Sequence, residues 1–446
     1  MEVLFIYTNI ETMNNKHLPH GLASIVAVLK GFNHKVNFLY FEDHVSKKEL
    51  LEKLSHFKFD LIGISSTTSQ WYIVKKYPKW IKTKYRRVKI IFGGTHPTVC
   101  PAEVIAVKGV DMVCVGEGEL PMLNLCNATE KGEDYSGIKS LWIKKRAIGF
   151  SKIIKNEVMH LVKDLDTFPL PDREFFDYND LLLNHSYEGY EQEAHVKKGR
   201  GCAFRCAYCS NSILRNIYPN KEAYVRSRSV AKVIEELQYL KSAFPVIKSF
   251  HFEDDTFTLN KRWVRQFCDE YKERINLPFR IYINPLTVDY DLLKGLKEAG
   301  LYEVSIGVEC GNEDYRKKVL RRNIANERIV QVFHWLHNLR IRSFALMIIG
   351  FPDETKEMIK ESMDFIKRLV PFHTQIVVYY PYPANPLYKY CKDNNLLTRK
   401  TKTTIFHGES SLKLKNISKI ELLTLYDDFW RLSFELKEKW HYYPIK

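Results

Sequence analysis

The chain has 446 residues and no apolar run of membrane-spanning length. Its longest, Phe344-Ala-Leu-Met-Ile-Ile349, has strand length, whereas a span needs roughly 18 residues. No transmembrane segment is expected. The N-terminal run Met1-Glu-Val-Leu-Phe-Ile-Tyr-Thr-Asn9 has no basic leader and soon turns polar, so no secretory signal is expected either. A reducing, cytoplasmic compartment follows from that reading. Internal repeats and low-complexity tracts are missing, which sets aside solenoids and disordered tails. Like-charge blocks of about five or more are also missing. The net charge of +15 therefore reads as lysine spread over solvated helix faces rather than as a nucleic-acid or membrane patch. No serine, histidine or lysine sits in a constellation for nucleophilic catalysis. Disulfides are not expected, because nine cysteines is an odd number and Cys100, Cys114, Cys126, Cys268, Cys310 and Cys391 are scattered singly like small buried hydrophobes.

The other three cysteines are grouped. Cys202, Cys206 and Cys209 occupy Gly199-Arg-Gly-Cys-Ala-Phe-Arg-Cys-Ala-Tyr-Cys-Ser210, a C-x3-C-x2-C spacing with an aromatic before the last thiol. Three thiolates so close in sequence can wrap one face of an iron–sulfur cluster, which usually takes four. A trio leaves one iron of a cubane without a protein ligand and open to chemistry. Structural zinc is the competing reading, with His195 as a fourth ligand.

Short apolar strands alternate with helices over the first ~130 residues. Strands are expected at Val3–Tyr7, Val36–Tyr40, Leu61–Ser65, Lys89–Phe92 and Val110–Val115, with helices at 18–29, 47–58 and up to Lys84. This pattern predicts a parallel, doubly wound sheet whose ligands bind beyond the strand carboxyl ends. Small polar residues and glycines gather there: Thr8, Ser65-Ser-Thr-Thr68, Gly93-Gly-Thr-His96, Gly116 and Gly118. The stretch 135–190 ends in the proline-rich Asp164-Leu-Asp-Thr-Phe-Pro-Leu-Pro-Asp172 and reads as a linker. From 191 a second alternation begins, with the cysteine loop after its first strand. Later strands are Ile247–Phe252, Phe279–Ile283, Val304–Val308, Phe344–Ile349 and Gln375–Tyr379. These fit a partial (β/α)6 barrel with its active site at the strand carboxyl ends. The expected layout is 1–134, linker 135–190, barrel 191–390, and a helical, amphipathic tail over 391–446.

The cysteine run resembles the signature of the radical S-adenosylmethionine (SAM) enzymes, and the whole chain resembles their cobalamin-binding class. The matching pieces are His17-Leu-Pro-His-Gly-Leu22, Phe92-Gly-Gly-Thr-His-Pro97, Val115-Gly-Glu-Gly-Glu119, Asp164 to Asp172, the cysteine trio, Phe252-Glu-Asp-Asp-Thr-Phe257, Gly307-Val-Glu-Cys-Gly311, Ile349-Gly-Phe-Pro352 and Tyr380-Pro-Tyr-Pro383. The resemblance implies an N-terminal Rossmann-like cobalamin domain and a TIM-type SAM barrel. It implies a 4Fe-4S cluster on Cys202, Cys206 and Cys209, with SAM on the open iron. For cobalamin it implies Thr8, Gly21, Leu22, Ser65, Ser66, Thr67, Gly93, Gly94, His96, Gly116, Glu117 and Glu119. The D-x-H-x-x-G motif that ligates cobalt from below in many cobalamin proteins is absent, as is usual in this class. Cys310 stands where serine is common, and Ala384-Asn385 where Gly-Thr is common.

Polar residues close each barrel strand. Glu253, Asp254, Asp255, Asn284, Glu309 and Gly350 face the expected SAM pocket, where carboxylates suit the amino, sulfonium and ribose groups. Tyr208, between two cluster cysteines, is expected at the adenine. Asp254, Asp255 and Asp353 precede helices and could instead cap them; capping is the better reading for Asp353.

An unactivated C–H bond has no acidic proton, so side-chain acid–base chemistry cannot help and cofactors must carry the reaction. The resemblance implies a 5′-deoxyadenosyl radical that abstracts hydrogen, then methyl transfer from methylcobalamin to carbon or phosphorus. Its substrate would be a small molecule, lipid or natural product, and its electron donor a flavodoxin or ferredoxin. DNA is not an expected partner. Alternatives are a cyclase or rearrangement without methyl transfer, an RNA-modifying enzyme, and a non-enzymatic module with a structural cluster. The tail, with Trp430, Phe434, Trp440 and Tyr442-Tyr443, either packs on its own domain or touches a membrane surface; packing is the better reading.

Overall fold

Period-two alternation in the first strands sorts their side chains onto two faces. The structure, a computed structural model, describes residues 1–11, 17–147, 150–184, 190–398 and 408–441. Tyr442, Tyr443 and residues 185–189 of the expected linker lie outside these. The chain divides into two compact units, 1–187 with 213–224, and 188–212 with 225–446.

The first unit carries a seven-stranded sheet in the order β2-β1-β3-β4-β5-β6-β7. Its strands are β1 (Glu2–Thr8), β2 (Lys35–Phe41), β3 (Leu61–Ser65), β4 (Lys89–Gly93), β5 (Met112–Cys114), β6 (Leu141–Ala147) and β7 (Phe150–Lys155). β1 to β5 pair in parallel. Leu4 and Ile6 join Ile62, Ile64, Ile90 and Phe92 in one core. Val3, Phe5 and Tyr7 join Leu61, Ile91 and Met112 in the other. Burial on both faces explains why these strands read as continuous apolar runs. The stretch expected as a linker begins with β6 and β7, an antiparallel hairpin that extends the sheet edge. Its lysine-rich sequence, Leu141-Trp-Ile-Lys-Lys-Arg-Ala147, masks the strand period, as edge strands often do.

The second unit is built on a curled sheet in the order β15-β14-β13-β12-β11-β8, parallel throughout. Its strands are β8 (Glu193–Val196), β11 (Ser249–Phe252), β12 (Phe279–Ile283), β13 (Leu301–Glu309), β14 (Arg342–Ile349) and β15 (His373–Val378); β9 (Gly199–Arg200) and β10 (Arg226–Ser227) form a short antiparallel pair beside them. One face is fully buried, with Phe250, Phe252, Ile281, Val304, Ile306, Ala345, Met347 and Ile376 under the helices. The other face is half open, with His195, Tyr282, Phe344, Leu346, Ile348, Gln375 and Val377. This alternation is that of a half-barrel with a lumen.

The C-terminal helix Lys419–Trp440 starts with a Ser418/Glu421 capping box. It runs beside edge strand β15, with Leu422 near Gly350 and the Trp440 ring 5.0 Å from Phe372. The tail therefore packs on its own unit and covers an open sheet edge. Among the described residues no helix is long and apolar enough to cross a membrane.

Candidate active site

The cysteine loop leaves the carboxyl end of β8, and its entrance is held by a buried carboxylate. Asp254 accepts the peptide N–H groups of Lys198 at 2.9 Å and Gly199 at 2.8 Å. Burial pushes its carboxyl up, and the nearby Lys198 pulls it back. The loop then folds on itself through Cys209 N–H to Cys206 O at 3.2 Å. Thr256 Oγ1 lies 3.8 Å from Cys202 Sγ, and Asn211 Nδ2 lies 3.7 Å from Cys209 Sγ. Ala207 is pinned from both sides, donating to Leu320 O and accepting from Leu387 N. Burial raises the thiols of Cys202 and Cys209, the latter to about 12. Cluster assembly must therefore release protons here, which a coordinated metal readily forces.

The donor set fits an iron–sulfur cluster. Three sulfurs share one loop, with N–H and O–H donors near the outer two and a guanidinium near the middle one. His195, the proposed fourth zinc ligand, points elsewhere: Nδ1 is 2.8 Å from Glu253 Oε1 and Nε2 is 3.9 Å from Glu193 Oε2. Burial opposes its protonation, but Glu253 and Glu193 outweigh it and hold the ring above the usual histidine range.

Glu309 reaches the loop through a distorted strand end. The β13–β14 register slips between Gly307 and Glu309, and Glu309 takes φ 70°. A left-handed non-glycine residue is costly and concentrates at functional positions. Its carboxylate folds back over Gly307, which has no Cβ to obstruct it. Burial pushes the Glu309 carboxyl up, while Arg322 and a Tyr208 hydrogen bond pull it back. Tyr208 also packs edge-on to Phe351 at 5.9 Å. Thus Tyr208, Glu309 and the cysteines meet.

The remaining residues expected at SAM lie on other strand ends. Glu253 pairs with His195, and Asn284 accepts from Leu286 N–H at 3.0 Å. Asp255 is exposed. Helix capping falls to other residues: Asn260 accepts from Trp263 N–H and Thr355 from Met358 N–H. Asp353, expected as a cap, instead takes the Tyr390 hydroxyl and lies 3.8 Å from Lys415 Nζ. Its φ of 61° turns it away from the helix start.

Gly350 takes φ 74° and donates to Glu354 Oε2 at 2.6 Å, as does Phe351 at 3.1 Å. Burial raises the Glu354 carboxyl to about 8. The folded state therefore binds this proton more tightly than the unfolded chain, and stability falls as pH rises from about 4.5 through about 8. Glu354→Gln keeps the acceptor without a charge to bury. Its stability relative to the parent is expected to grow over that window, by less than about 5 kcal/mol, in denaturant melts at several pH values. A difference independent of pH would contradict this.

Several residues escaped the sequence reading. Arg322 donates from Nη2 to Gly307 O and lies 3.9 Å by Nη1 from Cys206 Sγ. Asn385 donates to Tyr208 O at 3.0 Å. Glu354 had no pattern beyond the Gly-Phe-Pro run. For Asn385 the signal was its departure from the common Gly-Thr; beside it, Ala384 holds φ 70°, a glycine-like conformation.

In the first unit, loops at the ends of β3 and β4 are tied together. Ser66 N–H donates to Gly93 O at 3.0 Å, and His96 N–H to Ser66 O at 3.1 Å. Thr98 Oγ1 accepts from Gly116 N–H at 3.1 Å, adding the end of β5. Gly94 has φ 96° and ψ −173°, and a Cβ there would stand 2.8 Å from Ser66 O. Ser65, Thr67 and Glu117 are half-buried near these ends, and Glu119 is buried at a helix start. Among the described residues, two buried polar atoms here lack a hydrogen-bond partner: Thr8 Oγ1, and His96 Nε2, which lies 3.8 Å from Glu103 Oε2. Such orphans suit a polar cofactor lying on the strand ends. Gly21 is exposed with open space at its Cα, while Leu22 packs in the core. Gly94→Ala is expected to cost about 1–3 kcal/mol and to lower the corrin that co-purifies, with iron content unchanged. Corrin absorbance equal to the parent's would refute that.

Residues 8–125 match the B12 binding domain and residues 196–366 the Radical SAM superfamily. An uncharacterized methyltransferase of Pyrococcus horikoshii is 27% identical over 94% of this chain and 88% of its own length. The anaerobic magnesium-protoporphyrin IX monomethyl ester cyclase of Cereibacter sphaeroides is 24% identical over 88% of this chain, which spans 64% of that longer protein. In fold, the chain is like the radical S-adenosylmethionine methyltransferase TsrM of Kitasatospora setae, solved with cobalamin and a 4Fe-4S cluster bound. The TM-score is 0.66 at 17% identity, over 88% of this chain and 75% of that one. Both modules in one chain, and three cysteines at the mouth of the second, place this protein in the cobalamin-binding class of radical SAM enzymes, which use a 4Fe-4S cluster, SAM and cobalamin.

Proposed function

We propose that this enzyme methylates an unactivated carbon or phosphorus centre of a small molecule. The observation that carries the reading is the Pyrococcus methyltransferase, whose similarity runs through both modules rather than one. The cofactors supply the radical and methyl-transfer chemistry. The chain's part is placement. Cys202, Cys206 and Cys209 hold the cluster at the lumen mouth. Tyr208, Glu309, Asn284 and the Gly350 turn line the rim where SAM would lie. Below them the lumen has an apolar wall of Phe344, Leu346, Ile348 and Val377 and a polar one of His195, Glu253, Tyr282 and Gln375. A substrate with a hydrocarbon part and a polar anchor matches those walls. A flavodoxin- or ferredoxin-type donor and a reducing cytoplasm suit a cluster that must be reduced before use.

A cyclisation without methyl transfer is the second reading, favoured by the Cereibacter cyclase. Anaerobic turnover of the reconstituted protein with cobalamin, SAM and reductant separates the two. Methylation yields S-adenosylhomocysteine together with 5′-deoxyadenosine; cyclisation yields 5′-deoxyadenosine without S-adenosylhomocysteine. The second product pattern, obtained with a substrate that turns over, would remove the methylation reading.

A further inference from the structure

A buried guanidinium stands against the middle cysteine of the cluster loop. Arg322 is 9% exposed, with Nη1 3.9 Å from Cys206 Sγ and Nη2 on the carbonyl of Gly307. Its place is set from two directions. Leu320, two residues earlier, accepts the N–H of Ala207 at 2.9 Å, tying this segment to the cysteine loop. The Gly307 carbonyl, at the slipped end of β13, fixes the other side. Arginine stays charged in proteins, and a buried cation is costly unless an anion compensates it. Glu309, whose carboxylate folds over Gly307 beside the guanidinium, is one neighbour. The Cys206 sulfur, which cluster binding turns into a thiolate, is the other.

We propose that Arg322 sets the reduction potential of the cluster, acting through the Cys206 sulfur as a positioning residue. The reaction is the uptake of one electron from a one-electron reductant; no protein bond forms or breaks. That electron adds negative charge to a thiolate-ligated cluster that is already anionic. A cation held at one sulfur lowers the energy of the reduced state more than that of the oxidised state, so it raises the potential. Charge and hydrogen bonds at the sulfurs are the protein's levers on such clusters. The inference rests on the family's cluster occupying Cys202, Cys206 and Cys209.

The test is a redox titration of the reconstituted full chain without SAM, using dithionite and mediator dyes. The reduced cluster is read by electron paramagnetic resonance, and iron and sulfide are assayed beside it. Arg322→Gln with full iron should show a reduced-to-oxidised ratio about tenfold lower at the parent's midpoint, a shift of about 59 mV. Arg322→Lys, which keeps the charge, should stay within about threefold of the parent. An unchanged midpoint in an iron-replete Arg322→Gln protein would overturn the proposal. So would an unchanged midpoint with weakened SAM binding, which would put the guanidinium on SAM instead. If Arg322→Gln fails to hold iron, Arg322→Lys decides: a tenfold fall there would mean that charge is not the lever. Failure of the parent itself to take up iron would count against the cluster assignment and not against this role.

Discussion

Cys206→Ala is expected to abolish cluster assembly, leaving iron content and 5′-deoxyadenosine at background. The argument is local. Cys206 is 7% exposed and sits between the two outer thiols, each of which feels its charge. Arg322 is aimed at its sulfur, and the neighbouring Ala207 is tied to two other segments by backbone hydrogen bonds. Two remaining thiolates cannot hold three corners of a cubane that already has one open iron. The same substitution at Cys268, half-buried on the helix Lys261–Arg274, should leave iron content unchanged. Iron and sulfide assays with product chromatography check both arms. A cluster that survives in the Cys206→Ala protein would sink the ligand assignment.

Glu193→Ala is expected to destabilise the second unit by about 3–5 kcal/mol. At the amino end of β8 its carboxylate accepts Arg280 Nε at 2.9 Å, Arg280 Nη2 at 2.5 Å and the Tyr302 hydroxyl at 2.9 Å. Arg280 is also 3.8 Å from Glu303, which takes the Tyr190 hydroxyl at 2.7 Å, and its guanidinium stacks 4.2 Å over the Tyr190 ring. Removing the carboxylate leaves a guanidinium that is only 6% exposed with no direct carboxylate hydrogen bond, Glu303 standing off at 3.8 Å. Against a typical total of about 5–15 kcal/mol, that loss decides whether the unit folds. Glu193→Leu with Arg280→Met should recover most of it, because an apolar pair replaces both charges. Urea melts of the two single variants and the double variant measure the coupling. A Glu193→Ala cost below about 1 kcal/mol would refute the argument.

What could be read in advance was what is local in sequence. The cluster ligands lie within one loop, so their spacing alone disclosed them. The strands of both sheets are short apolar runs separated by helical stretches, so they are legible before any tertiary contact is known. The Ser418/Glu421 start of the last helix is likewise a three-residue pattern. The β6–β7 hairpin is hidden because Lys144 and Lys155 fall on one face and Lys145 and Lys152 on the other, which leaves no apolar period to read. Asp353 was misjudged as a cap because its left-handed backbone is not visible in the residues around it.

The sequence by itself determined the class of this protein: a cobalamin-type sheet, a half-barrel, and a sulfur-ligated cluster at its mouth. Each of these follows from residues that are neighbours in the chain. Tertiary structure alone decided how the cluster is held and charged. Asp254 reaches back 56 positions to the peptide of Lys198, and Arg322 reaches 116 positions to Cys206. Such partners have no periodicity to betray them. Their roles come from the low dielectric that surrounds them once the chain has closed, where an unpaired charge is costly and a paired one can set a potential.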